Sequence, residues 1–139
     1  MFQMEYAANE DIALWRRFDK HISESELLSK IADKRCYILK NNAVPVGIMR
    51  YNLFWDSLPF LTLIYLEEEA RRKGYGKSAL LQWESEMRLL GFPCTMTSTQ
   101  ADETAQFFYR RLGYRDAGCL ILDTTPLAQP TEIFFVKTL

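Results

Sequence analysis

The sequence predicts a mixed α and β fold that forms a single domain over residues 1–139. Strand-like apolar runs and helix-like periodic patterns alternate along the whole chain. The length of 139 residues is typical of one domain. A hydrophobic content of 48% is enough to build a substantial core. We find no internal repeat, low-complexity tract or linker that would divide the chain.

Composition excludes several classes of function. The formal net charge is −1 and the pI is about 5.9, so the chain lacks the basic footprint of a nucleic-acid-binding protein. No apolar run has the length of a membrane span, and the N-terminus lacks the features of a secretory signal. We therefore expect a cytoplasmic protein with reduced thiols at Cys36, Cys94 and Cys119. One histidine and scattered cysteines predict no metal site.

The N-terminal quarter predicts one edge strand and two short helices. Residues 2–7 alternate roughly between apolar and polar side chains. Asn9 is predicted to cap the first helix, and Ser23 or Ser25 the second. Each helix has one apolar face, formed by Ile12, Trp15 and Phe18 in the first and by Leu27, Leu28 and Ile31 in the second.

Two strands and a hairpin follow. Residues 35–40 and 44–53 read as strands, and residues 52–59 carry the turn into the next strand. The tip of this hairpin holds Phe54, Trp55 and Asp56. These side chains either fold back onto the sheet or form a wall for an acceptor amine, with the carboxylate as its anionic group. The sequence leaves both interpretations open.

The middle of the chain combines a strand, a basic turn and a helix. Residues 61–66 form an apolar run that predicts a buried central strand. Residues 71–77 are basic and contain two glycines. A helical pattern starts at once and is predicted to end at Gly91. Its apolar face comprises Tyr75, Ala79, Leu80, Trp83, Met87 and Leu90.

A glycine-containing basic turn at the start of a helix is suited to binding phosphate. The first helical N–H groups have no partner in the helix, and the helix dipole adds positive charge there. Gly74 and Gly76 let phosphate oxygens approach the backbone. A P-loop would need glycine at position 71, and the Rossmann fingerprint would need it at position 79. The alternative is a tight turn with a solvated basic cluster.

The C-terminal third predicts a strand, a helix and two further strands. Asp102 is a suitable N-cap for the helix, and Gly113 follows its last turn. The strands are predicted at residues 94–99, 114–123 and 131–137, with an irregular loop at 123–130.

Two motifs resemble the signatures of the GNAT superfamily, the acetyl-CoA-dependent N-acyltransferases. The sequence Arg71-x-x-Gly74-x-Gly76 resembles the family's Arg/Gln-x-x-Gly-x-Gly/Ala. Residues 102–114 resemble Asn-x-x-Ala-x-x-Phe-Tyr-x-x-x-Gly-Phe, with matches at Ala105, Phe108, Tyr109 and Gly113. The resemblance implies an α+β fold with a mostly antiparallel sheet of six or seven strands. It also implies about four helices on the faces of the sheet and splayed central strands.

The resemblance also implies a site for acetyl-CoA as co-substrate, without a metal. Backbone groups near Ile64 and Leu66 would pair with the pantetheine arm, and the Leu66 amide would polarise the thioester carbonyl. Tyr109 would protonate the CoA thiolate. Asp102 replaces the family's asparagine, so its contact to the pantetheine arm is in question. The diphosphate would be held by Arg71, Arg72, Lys73, Gly74, Tyr75, Gly76, Lys77 and Ser78.

The general base is the weakest part of the predicted site. Residues 60–66 contain no carboxylate, so Glu67 is the nearest acidic candidate, and catalysis through water is equally consistent. Near the acceptor, the first two helices and the hairpin would offer Asp19, His21, Trp55 and Asp56.

The resemblance predicts an N-acetyltransferase that transfers an acetyl group directly to a small-molecule or peptide amine in a ternary complex. The alternative is a non-catalytic acyl-CoA-binding or sensing module on the same fold. The acceptor, the length of the acyl donor and the choice between monomer and homodimer stay open.

Overall fold

The computed structural model describes all 139 residues and contains a seven-stranded, mostly antiparallel sheet with four α-helices, which confirms the predicted fold class. The strands are β1 (Phe2–Tyr6), β2 (Cys36–Asn41), β3 (Val44–Phe54), β4 (Leu58–Leu66), β5 (Cys94–Gln100), β6 (Arg115–Leu120) and β7 (Glu132–Thr138). The helices are α1 (Ile12–Phe18), α2 (Glu24–Ala32), α3 (Tyr75–Leu89) and α4 (Ala105–Arg111). None of the helices has the length and apolarity that a membrane span needs.

The chain forms two compact units. The first unit comprises Met1–Asn52 and Leu61–Glu86, and the second comprises Leu53–Phe60 and Met87–Leu139. That the chain is a single domain stays a prediction.

In the first unit, alternate residues of the strands pack against different helices on the two faces of the sheet. β1 pairs antiparallel with β2, and β2 pairs antiparallel with β3. On one face, Cys36, Ile38 and Ile48 pack with Trp15 of α1 and Leu27 of α2 in a fully buried cluster. On the other face, Tyr37 and Tyr51 face α3 and contact Glu86 and Trp83, respectively. The period of two in the strands therefore separates the α1/α2 face from the α3 face.

The second unit is built on an antiparallel sheet in the order β5-β7-β6. Phe135 of β7 is fully buried on the face covered by α4, where its ring lies 6.1 Å from the ring of Tyr109. The adjacent residue, Phe134, projects to the opposite face and contacts Phe54 and Phe60. One face of this sheet is thus a buried core, whereas the other carries half-buried aromatic rings.

Three predicted helix caps can be compared with the structure. Ser23 caps α2 and accepts a hydrogen bond from the Glu26 amide at 3.2 Å, as predicted. Asn9 does not cap a helix, because Asn9–Asp11 is itself a 3-10 turn in which the Asp11 carboxylate accepts from the Ala8 amide at 2.8 Å. Asp102 is not an N-cap either, since α4 begins at Ala105 and Thr104 precedes it.

Two residues of the predicted apolar helix faces are exposed. Leu90 is 61% exposed because α3 ends at Leu89 and the chain then turns away through Gly91. Leu28 lies at the edge of the apolar face of α2 and is 37% exposed, whereas its neighbour Leu27 is fully buried. The helical periods were correct, but α3 ends before Leu90 and the buried stripe of α2 is narrower than predicted.

Gly47 of β3 marks a close approach to the end of β4. A Cβ at this position would lie 2.2 Å from the Tyr65 carbonyl oxygen and 2.9 Å from a methyl carbon of Leu66. We expect Gly47→Ala to push the end of β4 away and to lower the free energy of unfolding by about 1–3 kcal/mol, as overpacking does. Urea denaturation would measure the loss. Val44→Ala, at an exposed position of the same strand, is the control, and an equal loss in both variants would contradict the prediction.

Candidate functional site

The turn between β4 and α3 adopts a backbone conformation that leaves its surface open. Arg72 has φ +62° and Gly74 has φ +85°, and α3 begins immediately afterwards at Tyr75. A Cβ on Gly74 would meet no atom within 4 Å. The glycine is therefore required by the left-handed backbone rather than by local crowding. The space that it leaves is free for a ligand.

The N-terminus of α3 presents a row of unpaired donors. Ser78 is the first residue whose amide donates within the helix, to the Gly74 carbonyl at 3.0 Å. The amides of residues 74–77 have no protein acceptor. The 15-residue helix adds its dipole at this end. Arg72, Lys73 and Lys77 form no ion pair within the chain, so the turn has the charge and the donors that bind an anion.

Arg71 differs from the other cations of the turn. Its Nε donates to the Leu66 carbonyl at 2.9 Å, and its guanidinium lies over the Tyr65 ring at 5.4 Å. Its amide donates to Glu68. The side chain therefore fastens the turn to the end of β4. A direct contact between Arg71 and a cofactor stays a prediction.

Just before this turn, the side chains of β4 depart from their alternation between the two faces of the sheet. Asn52 lies on the α1/α2 face of β3, because Ile48 and Arg50 at the same parity pack against those helices. The Thr62 hydroxyl donates to Asn52, and the next residue, Leu63, packs against the α1/α2 cluster as well. Two consecutive residues on one face indicate a local irregularity in β4, just before Ile64 and Leu66.

Tyr109 lies in the second unit, on the buried face of α4. Its side chain is only 6% exposed, and its ring contacts the rings of Phe108, Tyr114 and Phe135. Burial raises the pKa of Tyr109, and a hydrogen bond with Thr97 opposes the rise only in part. The phenol is therefore neutral at pH 7 and is able to donate a proton.

Comparison with known proteins identifies the family of the chain. Residues 4–114 match the family model described as "Acetyltransferase (GNAT) family". No curated protein matches the sequence.

The chain belongs to the GNAT family of acetyltransferases.

Solved structures show the same fold at low sequence identity. Ard1 from Thermoplasma volcanium aligns with a TM-score of 0.84 at 13% identity, over 99% of this chain and 97% of that one. Naa50 from Arabidopsis thaliana, in complex with the bisubstrate analogue CoA-Ac-MVNAL, aligns with a TM-score of 0.82 at 10% identity, over 99% of both chains. A GNAT acetyltransferase from Elizabethkingia anophelis with acetyl-CoA bound aligns with a TM-score of 0.79 at 15% identity, over 99% and 98%.

On this GNAT acetyltransferase, Glu67 is placed directly after β4. Its amide donates to the Val46 carbonyl at 2.8 Å, which fixes its backbone. Its carboxylate lies 3.6 Å from the Arg17 guanidinium, and the Arg17 side chain is 64% exposed. An exposed pair of this length is weak. The carboxylate is thus accessible, and its role as general base stays a prediction.

Asp19 is unsuited to binding an acceptor amine, contrary to the prediction. The residue is 2% exposed, and its Oδ2 accepts from Arg50 Nε at 2.9 Å and from Trp15 Nε1 at 3.2 Å. Its Oδ1 accepts from the His21 amide at 3.1 Å. These partners occupy the carboxylate, which joins the end of α1 to β3. No local signal in the sequence identifies Asp19 or Arg50 as partners, because they are distant in the chain.

Asp102 lies in an exposed turn before α4, and no hydrogen bond engages its side chain. No group of three or more His, Cys, Asp or Glu side chains in the structure could hold a metal ion. The three cysteines are free thiols, with Cys36 buried, Cys94 half-buried and Cys119 exposed.

Proposed function

We propose that this GNAT protein transfers an acetyl group from acetyl-CoA to an amine, directly, in a ternary complex. One observation carries the proposal. The amides of residues 74–77 have no protein acceptor and lie at a helix N-terminus flanked by unpaired cations. A diphosphate is the chemical group that such a turn fits best.

The residues of the turn divide the work of binding CoA. The backbone amides of Gly74, Tyr75, Gly76 and Lys77 would donate to the diphosphate oxygens. The side chains of Arg72, Lys73, Lys77 and Ser78 belong to the same stretch of chain and would add charge and a hydroxyl donor. Arg71 would act by holding the turn on β4, as its contact with the Leu66 carbonyl suggests. Asp102 would lie beside the pantetheine arm at the position of the family's asparagine, where a carboxylate can accept hydrogen bonds but cannot donate one.

Three groups would then serve the transfer itself. The Leu66 amide would donate to the thioester carbonyl, and backbone groups near Ile64 would pair with the pantetheine arm. Tyr109 would give its proton to the thiolate of the leaving CoA. Glu67, or a water in its place, would accept the proton of the amine. The bond from carbonyl carbon to sulfur breaks as the bond from carbonyl carbon to nitrogen forms.

A thermal-shift titration followed by a thiol-release assay tests this function. Acetyl-CoA is expected to raise the Tm and ATP with magnesium is not, since binding stabilises only the state that binds. Release of CoA thiol in the presence of small-molecule and peptide amines would then report turnover. Stabilisation without turnover on any amine would favour a non-catalytic acyl-CoA-binding module, and the absence of stabilisation would refute the proposal.

Gly74→Ala tests the turn against a matched control. A left-handed alanine costs about 1–2 kcal/mol wherever it occurs. Gly91 has φ +90° and open space around its Cα, as Gly74 does, but lies after the C-terminus of α3. We expect both variants to lose similar stability, whereas only Gly74→Ala weakens acetyl-CoA binding, by about ten-fold or more, because the amides lose their orientation. Isothermal calorimetry would measure the two affinities. Equal affinities in both variants would remove the turn from the binding site.

A further inference from the structure

The hairpin between β3 and β4 has a strained turn. Trp55 (φ +52°) and Asp56 (φ +60°) are both left-handed, and the Ser57 amide donates to the Phe54 carbonyl at 3.2 Å. A two-residue turn of this shape prefers Asn-Gly, and a bulky residue at positive φ is an outlier. Strain of this kind is retained where the surrounding structure needs it, commonly at binding surfaces. Here it displays Trp55, which is 79% exposed.

Trp55 continues into a row of aromatic rings within the second unit. Its ring centroid lies 4.8 Å from that of Phe54, and the Phe54 centroid lies 6.4 Å from that of Phe134 on β7. Phe60 lies 5.8 Å from Phe134 and completes the cluster. The three phenylalanines are half-buried, and Phe54 contacts the exposed indole, so the rings leave an aromatic surface at the end of the hairpin.

The charged groups on this surface are acidic. Asp56 is the only charged residue between Leu53 and Phe60. Glu132 has the same parity as Phe134, so it projects to the same face of β7, about 7 Å along the strand. Burial raises the pKa of Glu132, and the nearby charge of Glu103 adds to the rise, whereas a hydrogen bond that Gln129 Nε2 donates to its carboxylate at 3.5 Å opposes it.

No cation of the chain lies over the Trp55 ring, although Arg110 covers Phe107 and Phe135. An aromatic face with a neighbouring carboxylate attracts ammonium and guanidinium groups. Ring-centroid steps of 4.8 and 6.4 Å lead from Trp55 through Phe54 to Phe134, and Glu132 lies about 7 Å from Phe134 along β7. This succession of rings and carboxylates offers contacts for more than one basic side chain, as successive residues of a polypeptide would provide.

We propose that the face formed by Phe54, Trp55, Asp56, Phe60, Glu132 and Phe134, here called the acidic aromatic face, docks a basic segment of a polypeptide. Lysine or arginine side chains of that segment lie on Trp55 and pair with the two carboxylates. Resting on the proposed function, the acceptor of the acetyltransferase would then be an amine of this basic polypeptide.

Tryptophan fluorescence offers a test that does not depend on catalysis. Trp15 and Trp83 are fully buried, so acrylamide quenching reports Trp55 almost alone. The probes are capped hexapeptides of alternating alanine with lysine, glutamine or glutamate, titrated in low salt without acetyl-CoA. We expect the lysine peptide to shield Trp55 and to bind at least about ten-fold more tightly than the glutamine peptide. Asp56→Asn with Glu132→Gln should abolish this preference.

Asparagine accepts the left-handed conformation of position 56, so the charge is removed without unfolding the turn. Asp33→Asn, at an exposed acid of the first unit, is the control and should keep the preference. Equal shielding by the glutamine peptide, or none by the lysine peptide, would overturn the proposal. If Trp55 becomes shielded as the protein concentration rises in the absence of any peptide, the proposal would also be overturned. A second copy of the chain would then cover the face. Failure of acetyl-CoA to raise the Tm would refute only the proposed function.

Discussion

Tyr109→Phe is expected to lower kcat by about 10²–10³-fold, within the range that a positioned general acid contributes. The thiolate of CoA would leave without a proton, because the phenylalanine ring has no donor. The affinity for acetyl-CoA should stay nearly constant, since the ring still packs against Phe108, Tyr114 and Phe135. A thiol-release assay gives kcat, and calorimetry gives the dissociation constant.

Tyr114→Phe is the matched control for this variant. Tyr114 is 3% exposed, its ring lies 5.7 Å from that of Tyr109, and its hydroxyl shares a hydrogen bond with Thr95 at 2.9 Å. It loses a buried hydroxyl as Tyr109→Phe does, so the two variants should lose similar stability. Only Tyr109→Phe should lose turnover. If both variants keep the kcat of the wild type, Tyr109 is not the acid.

The pH profile adds a second criterion for Tyr109. Because burial raises its pKa above the ordinary value of 10.0, the phenol keeps its proton throughout the neutral range. An alkaline fall in kcat that begins below pH 9 would therefore belong to another group.

The sequence could predict the turn at residues 71–78 because its signals are local. Glycine spacing, clustered cations and the helical period of α3 all lie within one short stretch, and the structure has the left-handed Gly74 followed by a helix. The fold class was predictable for the same reason, as each element has its own period. The failed caps at Asn9 and Asp102 show the limit of local signals. Asparagine and aspartate are both common N-caps, but the neighbouring residues form turns here, so the helices begin at other positions.

Features that depend on contacts between residues far apart in the chain could not be predicted from the sequence. Gly47 carried a weak signal, since a glycine inside a strand pattern often marks a close backbone approach, but nothing named the end of β4 as its partner. No sequence signal predicted the left-handed backbone of Trp55, because the turn lacks the Asn-Gly that predicts this shape. The contact of its ring with Phe54, and the packing of Phe54 against Phe60 and Phe134, could be seen only in the structure.

Asp19→Ala is expected to lower the free energy of unfolding by about 3–5 kcal/mol, the loss typical when one partner of a buried ion pair is removed. The guanidinium of Arg50, with a side chain only 14% exposed, would be left without its counter-charge. The Trp15 indole and the His21 amide would lose their acceptor as well. Urea denaturation would measure the loss. Asp116→Ala, which breaks the exposed pair with Arg110, is the control and should change the midpoint little.

A second substitution separates the lost pair from a general packing defect. If the cost arises from the unpaired Arg50, then Asp19→Ala combined with Arg50→Met should recover much of the stability, because an apolar pair replaces a buried ionic one at little cost. If the double variant is no more stable than Asp19→Ala alone, the carboxylate acts through Trp15 and His21 instead.

The dependence of stability on acidic pH shows whether the ionised carboxylate of Asp19 stabilises the fold. Burial alone would raise the pKa of Asp19, but hydrogen bonds from the His21 amide, Arg50 and Trp15 outweigh it and hold the pKa below its ordinary value of 3.8. A carboxyl group with a depressed folded-state pKa contributes stability that is complete above the unfolded-state value and is lost as the pH falls through the folded-state value. The wild type should therefore lose this contribution below about pH 4, whereas Asp19→Ala lacks it at every pH. Urea midpoints of the two proteins should converge on acidification, and parallel midpoints from pH 7 to pH 2 would show that the ionised Asp19 does not hold α1 on β3.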